Sequence, residues 1–220
     1  MQVFKDVAKV GSPAFGGVEL GTGLDLPGFT MTFARNEEIF GEEEPADFIY
    51  RVIEGVARTV RLLSDGRRQI SSFHTAGDVF GMEWGEVHRF TAEAVTACKV
   101  AVIRRPALDR AVERDASAAR TVLALTSRDL CDAQAHLLLL TRRSASERVC
   151  AFLLDLAARA GRGDLIDLPM SRLDIADYLG LTIETVSRSL TQLERDGVIG
   201  LPNCRQVVLR DRAAMAPADA

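Results

Sequence analysis

The stretch that most constrains this chain is residues 170–199, which predicts two short helices joined by a sharp turn. Ser171 is a suitable N-cap for the first helix, and Asp174 completes an acidic form of the capping box. Gly180 tolerates the left-handed conformation in which many helices end. Thr182 can then cap the second helix, so the pattern predicts a helix-turn-helix.

The second helix has one apolar and one polar face. Its predicted buried positions recur at helical spacing and are Val186, Leu190 and Leu193. Glu184, Ser187 and Arg188 share the opposite face. Arginine can donate two hydrogen bonds to guanine, glutamate can accept one from cytosine, and serine can contact a base or a phosphate. This face therefore predicts a helix that reads the DNA major groove, and the alternative is an ordinary solvated helix.

Charge and hydropathy set limits on the class of protein. The net charge of -4 is unusual for a nucleic-acid binder, but residues 142–220 hold 11 Arg against 11 Asp and Glu, so the acidic excess lies upstream. No apolar run approaches the ~18 residues of a membrane span. Residues 1–20 lack the apolar centre of a signal peptide, so we expect a cytoplasmic protein with no membrane partner.

Upstream, residues 29–105 carry the pattern of many short strands. Phe29–Phe33 and Val95–Val102 alternate apolar and polar residues, and Asp65-Gly66 is a strong hairpin signal. Evenly spaced short strands predict a β-barrel or β-roll. Residues 1–28 are rich in glycine and lack a period, so we expect an arm there, with a short helix around Val3–Val10.

Residues 106–142 predict a long helix with a heptad-spaced apolar face. The seam positions are Leu123, Thr126, Leu130, Ala133, Leu137 and Leu140. The alternative is a core helix of its own domain, but Arg128 and Asp129 on the other faces favour an intermolecular seam. A homodimer would present two short helices to a DNA palindrome.

Residues 143–220 complete the second half. Ser144 and Glu147 form another capping box that opens an amphipathic helix. A short strand at Leu165–Leu168 and two strand-like runs after Gly197 predict a small hairpin, which makes the motif a winged helix-turn-helix. We expect the tail from Ala213 to be disordered.

The run D-I-A-D-Y-L-G-L-T-I-E-T-V-S-R at residues 174–188 resembles the recognition motif of the CRP/FNR family of bacterial transcription regulators. Its E-x-x-S-R form is similar to the FNR and FixK branches. The upstream segments 42–47, 65–69 and 76–81, with Gly55, resemble landmarks of the family's cyclic-nucleotide-binding β-roll. The resemblance covers roughly residues 30–210.

The resemblance implies an α+β fold with four segments. These are an N-terminal arm (1–28), a sensor-like β-roll (29–105), a dimerisation helix (106–142) and a winged DNA-binding domain (143–220). It implies a regulator and no enzyme, with double-stranded DNA and RNA polymerase as partners. The polymerase contact would lie on the winged domain or the roll, and the loop at 159–164 and the turn at 65–68 are candidates.

The family's ligand positions are altered in this chain. The acidic position of the phosphate-binding segment holds Asp78 or Val79, the Arg-Ser pair is replaced by His88-Arg89, and the adenine contacts fall on Ala133 and Gln134. These departures argue against cyclic AMP, although a regulator gated by a cyclic nucleotide or another ligand is the alternative function.

Cysteine and histidine patterns bear on other sensors. Four widely spaced cysteines give no zinc pattern, and the first is Cys98, so the clustered N-terminal cysteines of an iron–sulfur sensor are absent. His74 and His88 do not form the HxH pattern of a cupin-type metal enzyme, while haem sensing through a histidine stays open. Cys204 lies beside Arg205 on the wing and could be a redox switch or a bystander. We expect no cofactor and no metal.

The resemblance implies a FixK-type activator of low-oxygen or nitrogen-cycle genes that binds TTGA-N6-TCAA, with repression left open. The predicted base contacts are Arg188 to guanine, Glu184 to cytosine, Ser187 to thymine or its edge, and Ile183 to a thymine methyl. The predicted phosphate contacts are Arg172, Thr182, Thr185, Ser189 and Arg205.

Overall fold

The computed structural model describes residues 16–20, 23–142, 144–161 and 163–216. The chain divides between Leu130 and Cys131 into two compact units. Among the described residues, no helix combines the length and apolar character needed to cross a membrane.

The described part of the first unit contains nine antiparallel strands. They are β1 (Gly16–Glu19), β2 (Asp25–Phe33), β3 (Glu38–Phe40), β4 (Phe48–Glu54), β5 (Ala57–Leu62), β6 (Arg68–His74), β7 (Val79–Phe80), β8 (Thr91–Ala94) and β9 (Cys98–Arg104). One sheet has the order β1-β2-β9-β4-β7 and the other β3-β8-β5-β6. The predicted β-roll is confirmed, and the Asp65-Gly66 turn joins β5 to β6 with Gly66 at a φ of 82°.

The core of this unit lies on both faces of β9. Cys98, Val100 and Val102 point to one side and pack with the aromatic residues of the roll. Ile103 packs on the other side with Leu108, which belongs to the helix that follows the strand. Because both faces are covered, β9 reads as a nearly continuous apolar run after Lys99.

The structure differs from the predicted N-terminal arm at residues 16–20 and 23–28, which include β1 and the start of β2. Leu20 and Leu26 are 1% and 4% exposed, so this segment belongs to the core. Gly28 is required where the strands approach, since a Cβ there would lie 2.7 Å from the Val102 carbonyl oxygen. The helix expected around Val3–Val10 lies outside the described residues.

Two helices replace the single helix expected from residue 106. Helix α1 spans Arg105–Arg114 with Pro106 in its first turn, and α2 spans Ala116–Arg142. Asp115 separates them, and its carboxylate accepts a hydrogen bond from the Ser117 backbone N–H at 2.8 Å. The division between the two units falls inside α2.

The second unit continues with α3 (Ala145–Ala160), β10 (Leu165–Asp167), α4 (Arg172–Leu179), α5 (Ile183–Arg195), β11 (Ile199–Asn203), β12 (Gln206–Leu209) and α6 (Arg212–Met215). The three strands form an antiparallel sheet in the order β10-β12-β11. This confirms the winged helix-turn-helix. Helix α6 corrects the expectation of a tail disordered from Ala213, because Met215 is only 3% exposed and secures it; residues 217–220 lie outside the described part.

Candidate nucleic-acid interface

The helix-turn-helix is fixed by local hydrogen bonds at each helix end. The Asp174 backbone N–H donates to the Ser171 hydroxyl at 3.1 Å, and the Ser171 backbone N–H donates to the Asp174 carboxylate at 3.0 Å. Gly180 adopts the left-handed conformation with a φ of 63°. The predicted capping box and helix stop are therefore confirmed, and they set where α5 begins.

Helix α5 is held by its apolar face and its first turn. Val186, Leu190 and Leu193 are 0%, 1% and 8% exposed, as the helical spacing predicts. The Thr185 backbone N–H donates to the Thr182 hydroxyl at 3.2 Å, so Thr182 is the N-cap. Burial of one face leaves the opposite face of the N-terminal half in solvent.

The predicted base-reading residues lie on that open face. Glu184 and Arg188 are exposed, Ile183 is 41% exposed and Ser187 is half-buried. Arg188 makes a long hydrogen bond of 3.4 Å from Nε to the Glu184 carbonyl oxygen, one turn back. The structure thus brings together a carboxylate and a guanidinium at the start of one helix.

The surroundings of the Glu184 carboxyl lower its pKa and so favour its ionised form. Its own backbone N–H, the Thr182 hydroxyl and the charge of Arg188 lower its pKa from the usual value. An ionised carboxylate has only acceptors. It can therefore accept from a cytosine amino group, while the guanidinium of Arg188 can donate to a guanine.

The predicted phosphate contacts divide into two groups. Thr182, Thr185 and Arg172 lie at or near the N-termini of α5 and α4, where backbone N–H groups favour anions. Arg205 is exposed on the turn between the wing strands, and its guanidinium donates to the Pro169 carbonyl oxygen at 3.4 Å.

Ser189, also predicted to contact phosphate, is only 6% exposed and lies with Val186 and Leu190 on the buried side of α5. A side chain in that position is poorly placed to contact phosphate. The three-residue spacing from Val186 was the sequence signal for its burial.

A groove beside the open face includes residues that the motif did not identify. Its volume is about 510 Å³, and it is lined by Ser146, Ser187, Arg188, Ser189, Thr191, Gln192 and Arg195. Arg195 lies seven residues after Arg188 and so shares its side of the helix. Ser146 comes from the first turn of α3, a placement that only the fold reveals. Both can extend the polar surface around the reading residues.

The predicted dimer seam is largely solvent-exposed along α2. Leu123, Leu130 and Leu137 are 66%, 57% and 60% exposed, and Thr126 and Ala133 are also exposed. Three large leucines spaced by seven on a helix are costly to leave in water.

Leu140, the last predicted seam position, differs because it is half-buried. Its Cδ2 atom lies near Gly180, 3.6 Å from where a Cβ on that glycine would be. The predicted seam is therefore exposed at Leu123, Leu130 and Leu137 but partly covered at Leu140.

In the segment that resembles the family's phosphate-binding segment, His88 and Asp78 already have partners within the fold. His88 is 1% exposed, stacks on Phe40 with ring centroids 3.7 Å apart, and bonds through Nδ1 to Glu83 at 3.0 Å. Burial raises the pKa of Glu83, but the hydrogen bond and charge of His88, with backbone N–H donors, outweigh it and lower the pKa. Asp78 is occupied in accepting from the Thr75 backbone N–H at 2.8 Å.

The remaining ligand candidates are dispersed. Ala133 and Gln134 are exposed on α2, Cys98 and Cys150 are buried, and Cys131 and Cys204 are exposed as free thiols. Within the described ranges, no group of three His, Cys, Asp or Glu side chains is arranged to hold a metal ion.

Comparison with known families matches both units. A model described as the Crp-like helix-turn-helix domain matches residues 147–218. A second, described as the cyclic nucleotide-binding domain, matches residues 30–115.

Comparison with individual proteins gives high similarity over most of the chain. The nitrogen fixation regulation protein FixK of Azorhizobium caulinodans is 50% identical, over 87% of this chain and 79% of the relative. FixK of Rhizobium meliloti is 45% identical over 82% of each chain. The solved structure of FixK2 from Bradyrhizobium japonicum superposes with a TM-score of 0.83 at 47% identity, and the match covers 86% of this chain and 95% of FixK2.

Proposed function

The chain belongs to the CRP/FNR family of transcription regulators, and from that premise we propose that it is a FixK-type activator that binds TTGA-N6-TCAA-like palindromes as a homodimer. One observation carries the proposal. Glu184 and Arg188 lie one turn apart, both exposed, on the N-terminal half of a helix whose other face is buried.

Base reading follows from the donors and acceptors of this pair. Arg188 donates to O6 and N7 of a guanine, and Glu184 accepts from N4 of the cytosine in the same or the adjacent pair. Ile183 offers an apolar surface to a thymine methyl group, and Ser187 contacts a thymine edge. The four side chains would read a half-site of TTGA type.

Backbone contacts position the helix without specifying sequence. Thr182 and Thr185 lie where α5 begins, Arg172 lies at the start of α4, and Arg205 extends from the wing turn. The roughly neutral charge of residues 142–220 supports only modest non-specific affinity.

A homodimer would supply the second half-site. The exposed Leu123, Leu130 and Leu137 form a stripe on α2 with the spacing of a two-stranded coiled coil. Pairing would remove this stripe from water and place two reading helices on a palindrome. Leu140, being half-buried, would contribute less.

Control by a cyclic nucleotide is the alternative, and the fold of the roll is what favours it. His88, at the position of the family's phosphate-binding arginine, is buried and bonded to Glu83. We therefore propose activity without a cyclic nucleotide. The relatives named as nitrogen fixation regulation proteins support target genes of nitrogen metabolism. We extend the proposal to low-oxygen genes, with RNA polymerase as the protein partner in the cytoplasm.

The test is binding of purified protein to labelled duplexes, measured by fluorescence anisotropy with and without cyclic AMP. A TTGA-N6-TCAA duplex should bind more tightly than one with a scrambled half-site, because each wrong base pair costs about 1–3 kcal/mol. Cyclic AMP should change neither value.

The dimer is tested by light scattering on the wild type and on Leu130→Glu, with the exposed Leu62→Glu of the roll as control. Leu130→Glu should give monomers and lose palindrome binding, and the control should do neither. A monomeric wild type, or equal affinity for the intact and scrambled duplexes, would contradict the proposal.

A further inference from the structure

The most exposed large apolar side chain among the described residues is Trp84, which is 98% exposed. It is the single tryptophan of the chain and follows β7 in the loop before β8. Val87, three residues later, is 44% exposed. An indole in water forgoes a large burial energy, so a surface that presents one beside a valine invites a partner.

The loop that carries Trp84 is ordered by backbone pairing. Residues 43–47 and 83–89 form a short two-stranded element, which we name the Trp84 ribbon. The His88 backbone N–H donates to the Glu44 carbonyl at 2.8 Å, and the Ala46 N–H donates to the Glu86 carbonyl at 2.9 Å. An isolated bridge pairs Pro45 with Val87.

The side chains of Arg105 and His88 hold the Trp84 ribbon in place. The Arg105 guanidinium donates to the carbonyl oxygens of Glu83 and Gly85, which flank Trp84. His88 is held to the Glu83 carboxylate within the core. Because the residues on both sides of Trp84 are held by hydrogen bonds, the loop is preorganised. Binding a partner would therefore cost little free energy for ordering the loop.

The charge of the ribbon indicates the chemistry of that partner. The ribbon contains five carboxylates. That of Glu83 is bonded to His88, and the four at or near the surface are Glu43, Glu44, Asp47 and Glu86. Against these carboxylates the ribbon carries Arg89, with His88 bonded to Glu83, and the Arg105 guanidinium contacts its backbone. An acidic rim repels nucleic-acid phosphates and anionic lipid, so the indole is directed at a protein surface that is apolar in the middle and basic at its edge.

We propose that the Trp84 ribbon is a docking surface for RNA polymerase, with the indole inserted into an apolar recess bordered by Lys or Arg. This inference rests on the proposed function, since an activator must contact the transcription machinery. Tryptophan is the residue type most enriched among interface hot spots, which fits a contact dominated by one side chain.

The first experiment compares Trp84→Ala with Leu62→Ala, a matched change at a 68% exposed residue on β5. In transcription by purified polymerase from a palindrome promoter, Trp84→Ala should lower activation about tenfold or more. Its DNA affinity should equal that of the wild type, Trp84→Phe should recover part of the activity, and Leu62→Ala should match the wild type. Unchanged activation by Trp84→Ala, or an equal loss of DNA affinity, would overturn the proposal.

The second experiment asks for direct contact and needs no DNA. Trp84→p-benzoylphenylalanine, irradiated with polymerase holoenzyme, should crosslink to a polymerase subunit, whereas Leu62→p-benzoylphenylalanine should not. Glu86→Lys should reduce the crosslink by reversing a rim charge. Crosslinking only to a second copy of this chain, or none at all, would refute the docking surface. Failure of the wild type to bind palindromes would instead refute the proposed function, and the crosslink would still be informative.

Discussion

Each unit of the molecule places a glutamate beside an arginine. One of the two pairs is largely buried, and the other is exposed to solvent. In the roll, Arg58 on β5 donates to the Glu93 carboxylate on β8 through Nε at 2.9 Å and a terminal nitrogen at 2.6 Å. Their side chains are 7% and 25% exposed. On α5, Glu184 and Arg188 are exposed, and Arg188 makes a long bond of 3.4 Å to the Glu184 backbone carbonyl.

The difference shows that exposure, more than residue type, decides what a charged pair can do. A pair whose hydrogen bonds are made within the fold holds two strands together and has little left for a ligand. A pair left in water costs the fold little and can exchange water for a base edge. His88 is also buried, and its hydrogen bond to Glu83 is made within the fold. In the segment that resembles the family's phosphate-binding segment, this pair too has little capacity left for a ligand.

The largest effect expected from the contrast between the buried and the exposed pair is that of Arg58→Ala on stability. Removing the buried guanidinium leaves the Glu93 carboxylate without its partner, which should destabilise the roll by about 3 kcal/mol. Urea unfolding measures this change. Arg61→Ala is the matched control, because the Arg61–Glu42 ion pair at 2.9 Å has a half-exposed arginine and should contribute less than about 1 kcal/mol. Equal effects of the two variants would show that the buried pair has no special structural role.

Arg188→Ala should show the reverse pattern. We expect the free energy of unfolding to stay within about 0.5 kcal/mol of the wild type, since the side chain is exposed. DNA affinity should fall by about 1–3 kcal/mol per half-site, with relaxed preference at the guanine. Anisotropy titrations against duplexes varied at that base measure both effects. Arg195→Ala, farther along the same helix, should weaken all the duplexes equally; a uniform loss for Arg188→Ala would remove its base-reading role.

The sequence predicted best what depends on neighbours along the chain. The Ser171–Asp174 capping box, the Gly180 stop and the Asp65-Gly66 hairpin each involve residues within a few positions, and all are present. The open face of α5 followed from helical periodicity in the same way.

What depends on distant contacts was predicted less well. Strand β1 was missed because Gly16 and Gly17 show no alternation, and its place is fixed by pairing with β2. The closure of His88 by Glu83 and Phe40 combines residues from separate segments. Residue type alone marked His88 as unlike the family's arginine, but only the fold shows that it is buried.

A smaller effect is expected where the reading helix begins. Thr182→Ala removes the hydroxyl that accepts from the Thr185 N–H, which should cost about 1 kcal/mol of stability. Thr182→Ser keeps this acceptor and should restore most of the loss in urea unfolding. If alanine and serine behave alike, the cap is not what holds the first turn, and the open pair on α5 must be positioned by its apolar face alone.

The smallest expected effect is a dependence of stability on pH. It tests whether the second unit also contains a polar contact that is shielded from water. His136 on α2 donates from Nε2 to the Tyr178 carbonyl at 2.8 Å, and the rings stack 4.0 Å apart. Burial lowers the pKa of His136, and the hydrogen bond to Tyr178 opposes this only in part. The native state therefore favours the neutral ring more than the unfolded chain does.

The sign of the pH dependence follows from this lowered pKa. Stability from His136 is present above the unfolded pKa of about 6.5 and is lost as pH falls through the lower native pKa. Urea unfolding of the protein between pH 7.5 and about 5.5, above the range where carboxylates titrate, should show decreasing stability of the unit that contains α4. His136→Gln keeps a donor for the Tyr178 carbonyl but has no proton to gain, so its stability should vary less over this range. If the variant and the wild type show the same slope, His136 is not closed off from water as the stacked geometry indicates, and the contrast between closed and open polar groups belongs to the roll alone.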